Sequence, residues 1–350
     1  MKKLVSIALA LVLVLGSVSL AMADMYISVI SKGEQHAFWQ AVRKGCEDAA
    51  AEFGVTMFYY GPPSESDIAL QVDALKAEMD KGPAALALAS LSTESVMAEL
   101  QACIELGIPV IGFDSGVPNA PEGSIYATAS TNNKNAAALA AEEMMKLEGF
   151  VDVLSAATPE SPVVIAVLSQ DATSESVTGR TTGFVEKMAE LAGEIGTVAV
   201  VGHDLWAVPA DDASIKIHVE ISATTGIGDV TNSANAVLNM DGLLAIFCSN
   251  EGTVNGLLAA TGDGSRLAEG EEYGNIIVAG FDAGAPQKNA IRNNWFVGSV
   301  TQDPYRIGYL AVELAFRAAS GEAVEDVDTG AKWYTSVNID DPDIAILVYD

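Results

Sequence analysis

Residues 26–53, YISVISKGEQHAFWQAVRKGCEDAAAEF, decide the fold. Tyr26, Ile27, Val29 and Ile30 make a short apolar run that reads as a buried strand. A polar loop containing Gly33 follows. Phe38, Val42, Cys46, Ala49 and Phe53 then recur at steps of three or four, which is the apolar stripe of a helix. Gly54 ends that helix, and Val55 to Tyr60 (VTMFYY) starts a second strand. Strand, loop, helix and strand make a βαβ unit and therefore a parallel sheet. His36, Phe38 and Trp39 stand at the mouth of the helix, beyond the carboxyl end of the first strand. Open α/β sheets bind small ligands in that position.

The same alternation runs outward through the chain. Ile68, Val72, Leu75 and Met79 mark a helix face, Ala84 to Ala89 a buried strand, Thr93 to Leu106 a helix, and Val110 to Phe113 a strand ending at Asp114. A weak strand near Ile125 to Ala127 leads into a polar crossing, Ser130 to Asn133. A second series then begins with an Ala-rich helix, Asn135 to Leu147. Residues 148–162, with Pro, Ser and acids, read as a surface loop. Val163 to Leu168 is a strand, and Arg180 lies early in the helix after it. Further strands at Thr197 to Val201, Ile215 to Ile221, Leu243 to Phe247, Ile276 to Phe281 and Phe296 to Val300 follow. A helix at Tyr305 to Ala319 closes the series. His36, Asp114, Asn250, Asp282 and Gln302 each come just after a strand. One polar residue in such a place means little, because turns favour Asp and Asn. A recurrent set on one rim can donate to and accept from hydroxyls, while flat rings cover the apolar face of a sugar.

Composition sets the outer limits. A chain of 350 residues, half of them hydrophobic, suits two domains of ordinary size. Lys2 and Lys3, the apolar run Leu4 to Leu15 and the small-x-small site Ala21-Met22-Ala23 read as a cleaved signal peptide. The formal net charge of −29, more negative once Lys2 and Lys3 are removed, opposes binding to nucleic acid and to anionic membranes. A neutral small ligand is the expectation. The three cysteines, Cys46, Cys103 and Cys248, match no zinc spacing and read as buried hydrophobes. No cofactor or metal is expected.

The blocks HAFWQAVRKGCEDAA, GIPVIGFDSG, TGRTTGF, LAIFCSNEG, IIVAGFDAG and VGSVTQDPYRIGYLAVE, in this order, resemble the periplasmic sugar-binding proteins of ABC importers, of the ribose- and galactose-binding type. The resemblance implies an α/β fold of two Rossmann-like lobes with parallel sheets, joined by three hinge strands, with the ligand clamped between them. It implies a leader at 1–23, a first lobe of 24–129 with 303–333, and a second lobe of 130–302 with 334–350. The third crossing is expected near Trp333 to Val337. His36, Phe38 and Trp39 match the family's Asn-Pro-Phe-Phe loop, so the aromatics would flank the sugar ring. Asp114 would accept from hydroxyls, and Arg180 would donate to ring or hydroxyl oxygens. Asn250, Asp282 and Gln302 match the family's Asn, Asp and Gln. The implied partners are a small neutral carbohydrate, the membrane permease of an ABC importer and a chemoreceptor, with the protein a monomer outside the cytoplasm.

The departures from the family pattern leave the sugar open. Ser115 stands where the ribose type has Arg, and His36 replaces the family Asn. The second-lobe aromatic has no clear counterpart: spacing from Asn250 lands on Thr224, while Trp206 lies in an insertion, 201–214. No dinucleotide fingerprint, Walker loop, nucleophile elbow or zincin helix is present. Hydrolysis of a glycoside by Asp114 and Asp282 stays open on motif grounds. A sugar-responsive repressor domain shares the fold, but the leader and the missing basic helix-turn-helix count against it. A furanone-type autoinducer or a cyclitol is the alternative ligand.

Overall fold

The computed structural model describes residues 25–350; the leader reading at 1–23 lies outside the described residues. In chain order the elements of the first half are β1 (Tyr26–Ile30), α1 (Ala37–Phe53), β2 (Thr56–Tyr60), α2 (Ile68–Met79), β3 (Ala85–Leu88), α3 (Met97–Leu106), β4 (Val110–Phe113), β5 (Ile125–Ser130), α4 (Asn133–Met145) and α5 (Phe150–Ala156). The second half continues with β6 (Val163–Ser169), α6 (Glu175–Gly193), β7 (Val198–Val201), β8 (Ile215–Ile221), α7 (Ile227–Leu238), β9 (Leu243–Cys248), α8 (Glu251–Ala260), β10 (Ile277–Phe281), α9 (Ala285–Arg292), β11 (Gly298–Thr301) and α10 (Pro304–Ala319). It ends with β12 (Val327–Asp328), β13 (Lys332–Tyr334) and the short α11 (Pro342–Ala345).

The strands form two sheets, in the orders β12-β5-β4-β3-β1-β2 and β13-β11-β10-β9-β6-β8-β7. The pairings are parallel except for β13, which runs antiparallel to β11 with Trp333 opposite Val300. Both faces of each sheet are covered, as parallel sheets require. In the first sheet, Ile27, Val29 and Phe113 pack under α1 and α10, while Ile30, Leu86 and Leu88 pack under α2 and α3. In the second, Ile165, Val167 and Phe247 face α4 and α6, and Ala166, Leu168 and Ile246 face α7 and α8.

The chain passes between the sheets after Ser130, after Thr301, and between Asp328 and Lys332. The third passage therefore falls a few residues before the expected 333–337, because Trp333 and Tyr334 are already paired in the second sheet. After each of the first two passages a helix docks on the sheet it has entered. There α10 meets α1 through two glycines: a Cβ on Gly45 would lie 2.0 Å from the Tyr305 carbonyl oxygen, and one on Gly308 1.9 Å from that of Val42. Gly45 weakens the helix in isolation but lets the backbones touch.

Two further expectations need correction. Residues 148–162 are not all loop, since α5 forms there with Phe150 and Leu154 buried one turn apart. The helix read from Thr93 begins at Met97. The insertion at 201–214 folds back on β7 through a bridge between Val200 and Val208. The three cysteines are free and buried.

Candidate ligand-binding site

The loops that follow parallel strands gather at the carboxyl ends of a sheet, and the two sheets present those ends to a shared cleft. All eight residues singled out from the sequence line one cavity there: His36, Phe38, Trp39, Asp114, Arg180, Asn250, Asp282 and Gln302. The free space between its walls comes to about 310 Å³, of which the centre of a water molecule can reach about 20 Å³. The cavity is tight, with water-reachable room for little more than one water molecule. A wider groove, with about 1300 Å³ of free space by the same measure, runs beside the passages between the sheets, walled by residues such as Pro118, Asn132, Glu175 and Asp326. None of the eight lines it, so the smaller cavity is the candidate site.

The segment Gly-Phe-Asp-x-Gly occurs at the end of β4 and again at the end of β10. Each Asp takes a left-handed backbone conformation, φ 54° at Asp114 and 74° at Asp282, which Asp tolerates better than most residues. Each is pinned by its own N–H, donated to the Ala129 carbonyl at 3.0 Å and to the Val300 carbonyl at 2.7 Å. Asp282 is well supplied with donors. Its Oδ2 accepts from Arg180 Nη1 at 3.3 Å and from the Glu251 N–H at 3.0 Å, and its Oδ1 accepts from Gln302 Nε2 at 2.7 Å. Arg180 also donates to Asn133 Oδ1 at 2.8 Å and stacks on Phe281, 4.0 Å from the ring centroid.

Asp114 is the opposite. It is 3 % exposed, and its Oδ1 has no hydrogen-bond partner among the described residues. Desolvation pushes its pKa up to about 6, against the pull of Lys32 and Arg180. Gln302 Oε1 is likewise buried without a donor among the described residues. The cavity therefore offers acceptors that a hydroxyl-bearing ligand can satisfy.

The aromatic pair is well buried. Phe38 and Trp39 meet edge to face with centroids 5.0 Å apart, and Trp39 also packs edge-on against Phe113. Trp39 Nε1 donates to Glu65 Oε1 at 2.7 Å. His36 is half-buried and contacts Gln35 through its ring. Trp206 is no part of this site: it belongs to the second-lobe core, with Nε1 donating to Thr182 Oγ1 at 2.9 Å. Thr224 is exposed and bonds Asp229.

Sequence reasoning missed Lys32, Glu65, Ser176, Val177 and Glu251, which complete the lining. Lys32 and Glu251 follow strands closely enough for the strand-end rule to have found them. Several of these residues tie the lobes together. Gln170 takes the Asn250 amide at 2.8 Å and donates to Glu65 Oε2 at 2.6 Å across the cleft. Lys32 Nζ donates across it to Ser176 Oγ at 3.1 Å and Ser174 Oγ at 3.3 Å, and lies 4.0 Å from Glu65. Burial works to raise the pKa of Glu65. The charges of Lys32 and His36, with the bonds from Trp39 and Gln170, outweigh it and leave the pKa below the usual value. Burial raises that of Glu251.

This geometry defines a two-lobed binding protein with a polar interlobe cavity. The chain belongs to the family of the periplasmic binding protein domain, whose model matches residues 27–323. It is similar over 312 residues, at 23% identity, to the D-allose-binding periplasmic protein of Escherichia coli (strain K12), covering 88% of this chain and 89% of that protein. A solved structure from Brachyspira murdochii, described as an ABC transporter, LacI family transcriptional regulator, is 40% identical; the match covers 94% of this chain and 99% of that one with a TM-score of 0.77. An ABC transporter solute-binding protein from Agrobacterium vitis, solved with bound D-fucose, is 26% identical over 93% of this chain and 100% of its own, with a TM-score of 0.76.

Proposed function

We propose that this protein captures a monosaccharide outside the cytoplasm, between its two lobes, and delivers it to the permease of an ABC importer. The observation that carries this reading is Asp114, a buried carboxylate whose Oδ1 has no partner among the described residues, facing a small cavity beside an aromatic pair. Leaving such a group bare costs free energy that a ligand hydroxyl recovers. Relatives described as binding D-allose and D-fucose support the choice of ligand class.

The geometry supports the following roles. Phe38 and Trp39 cover the apolar face of the ring, and Asp114 and Gln302 accept from hydroxyls. Arg180 and Asn250 donate from the second lobe, while Asp282 and His36 complete the rim. Asp282 already accepts from Arg180, Glu251 and Gln302, which leaves it poorly placed to act as one of a hydrolase's two carboxylates. The three passages of chain between the sheets act as the hinge, and ligand shifts the population toward the closed form. Residues 1–23 direct export and are removed.

A thermal-shift screen over pentoses, hexoses, deoxyhexoses and polyols, followed by calorimetric titration of the hits, tests the reading. At a hundred times its dissociation constant a true ligand stabilises the fold by about 2.7 kcal/mol. A screen in which no sugar raises the melting temperature, while a furanone or cyclitol does, would overturn the ligand class.

A further inference from the structure

The helix α1 begins without a cap of its own. His36 has the extended backbone of an N-cap residue, φ −110° and ψ 148°, yet its side chain makes no capping hydrogen bond and the first turn holds no acid. A helix start exposes unpaired N–H groups and a partial positive charge. Three other helices meet this need with a side chain at the cap, Asn132 at α4, Asn250 at α8 and Asp303 at α10, while the rest, like α1, have no side-chain cap. At α1 the partner comes from the other lobe: the Phe38 N–H donates to Glu251 Oε2 at 3.4 Å.

Glu251 is built to reach across. It is 5 % exposed and held at the start of α8, where its own N–H is donated to Asp282 Oδ2. Gly284 leaves room for the carboxylate, since a Cβ there would sit 2.7 Å from Glu251 Oε1. Parting of the lobes would break this contact and leave α1 uncapped and the carboxylate without its partner.

We infer that Glu251 is a closure latch, capping α1 from the opposite lobe and so stabilising the closed form whatever the cleft contains. Its consequence for sugar retention rests on the clamp reading proposed above; the latch itself is a property of the ligand-free protein. It is a positioning residue, acting through the lobes.

X-ray scattering of the ligand-free protein tests it. Glu251→Ala is expected to lower the closed-to-open ratio about 2- to 30-fold, the range a helix cap provides, and to raise the radius of gyration. Glu251→Gln, which keeps the shape and loses the charge, should fall between it and wild type, and carries the test if the alanine variant does not fold. In a His36→Asn background the helix gains a cap of its own, so Glu251→Ala should shift the ratio less. Unchanged scattering on removing the carboxylate overturns the latch, and so does an equal shift in both backgrounds. A titration with D-fucose separates the two readings. Weaker D-fucose binding with unchanged ligand-free scattering makes Glu251 a ligand contact and sinks the latch. Failure of every sugar to bind sinks the sugar reading, while the scattering still judges the latch.

Discussion

Asp114 and Asp282 end equivalent strands in the two sheets, within the same Gly-Phe-Asp-x-Gly segment and at the same unusual backbone conformation. Around Asp282 the second lobe has gathered a guanidinium, a carboxamide and a helix N–H. Around Asp114 the first lobe supplies no donor to Oδ1 among the described residues. One strand end has become the hub of a pre-organised wall, and the other an acceptor held ready. Similar local structure can thus serve rigidity in one lobe and, on the function proposed above, recognition in the other, and what differs is the company each carboxylate keeps.

The comparison breaks most visibly in stability. Asp282→Ala leaves Arg180 buried beside an empty place, and removing one partner of a buried ion pair costs roughly 3–5 kcal/mol. Urea unfolding should show that loss, whereas Asp114→Ala should leave stability unchanged or improved. Equal losses in the two variants would refute the distinction between hub and free acceptor.

The next largest effect is in pH. Burial raises the pKa of Asp114 in the folded state to about 6 from its ordinary 3.8. The folded state therefore binds its proton more tightly than the unfolded chain. The resulting stabilisation is complete below about pH 4 and is lost as pH rises through 6; it amounts to about 3 kcal/mol. Subtracting the unfolding free energies of Asp114→Asn from those of wild type should isolate a decline across this window. A flat difference would mean that Asp114 has a partner in solution.

Binding comes third. Asp114→Asn is expected to weaken affinity for the cognate sugar about 10- to 150-fold, the value of roughly 1.5–3 kcal/mol for a charged hydrogen bond. Calorimetry checks it, and an unaltered isotherm would move recognition away from this residue. The smallest effect contrasts the lobes' tryptophans. Trp206→Phe removes one hydrogen bond to Thr182, costs about 0.5–1.5 kcal/mol of stability and leaves affinity alone. A loss of sugar binding in that variant would return Trp206 to the cleft.

What was legible in the sequence follows from periodicity. Long strand–helix alternation gave the parallel sheets, and the strand-end rule found Asp114, Asn250, Asp282 and Gln302 because such sheets open at their carboxyl ends. Glu65 escaped because it lies beyond Pro62-Pro63 in a segment with ordinary turn chemistry, and its importance comes from Trp39 and Gln170, distant in sequence. The helix α5 escaped because seven residues hold barely two turns of pattern. The third passage was displaced because β13 has only three residues and pairs antiparallel, without the length or hydrophobic run of its neighbours. Trp206 could not be placed, since nothing in an insertion says which surface it folds upon.

The docking of α10 on α1 through Gly45 and Gly308 also sets an order of events in biogenesis. The stripe on α1 that includes Val42 and Ala49 shares its core cluster with Ile307, Ala311 and Leu314, which are made more than 250 residues later. As the chain emerges, the lobe begun first stays unfinished until almost the whole chain is made. The second sheet has all its strands but β13 before α10 exists, while α1 waits with a greasy flank uncovered. Closing so long a loop is slow, and the exposed flank is the surface that a holding chaperone would find.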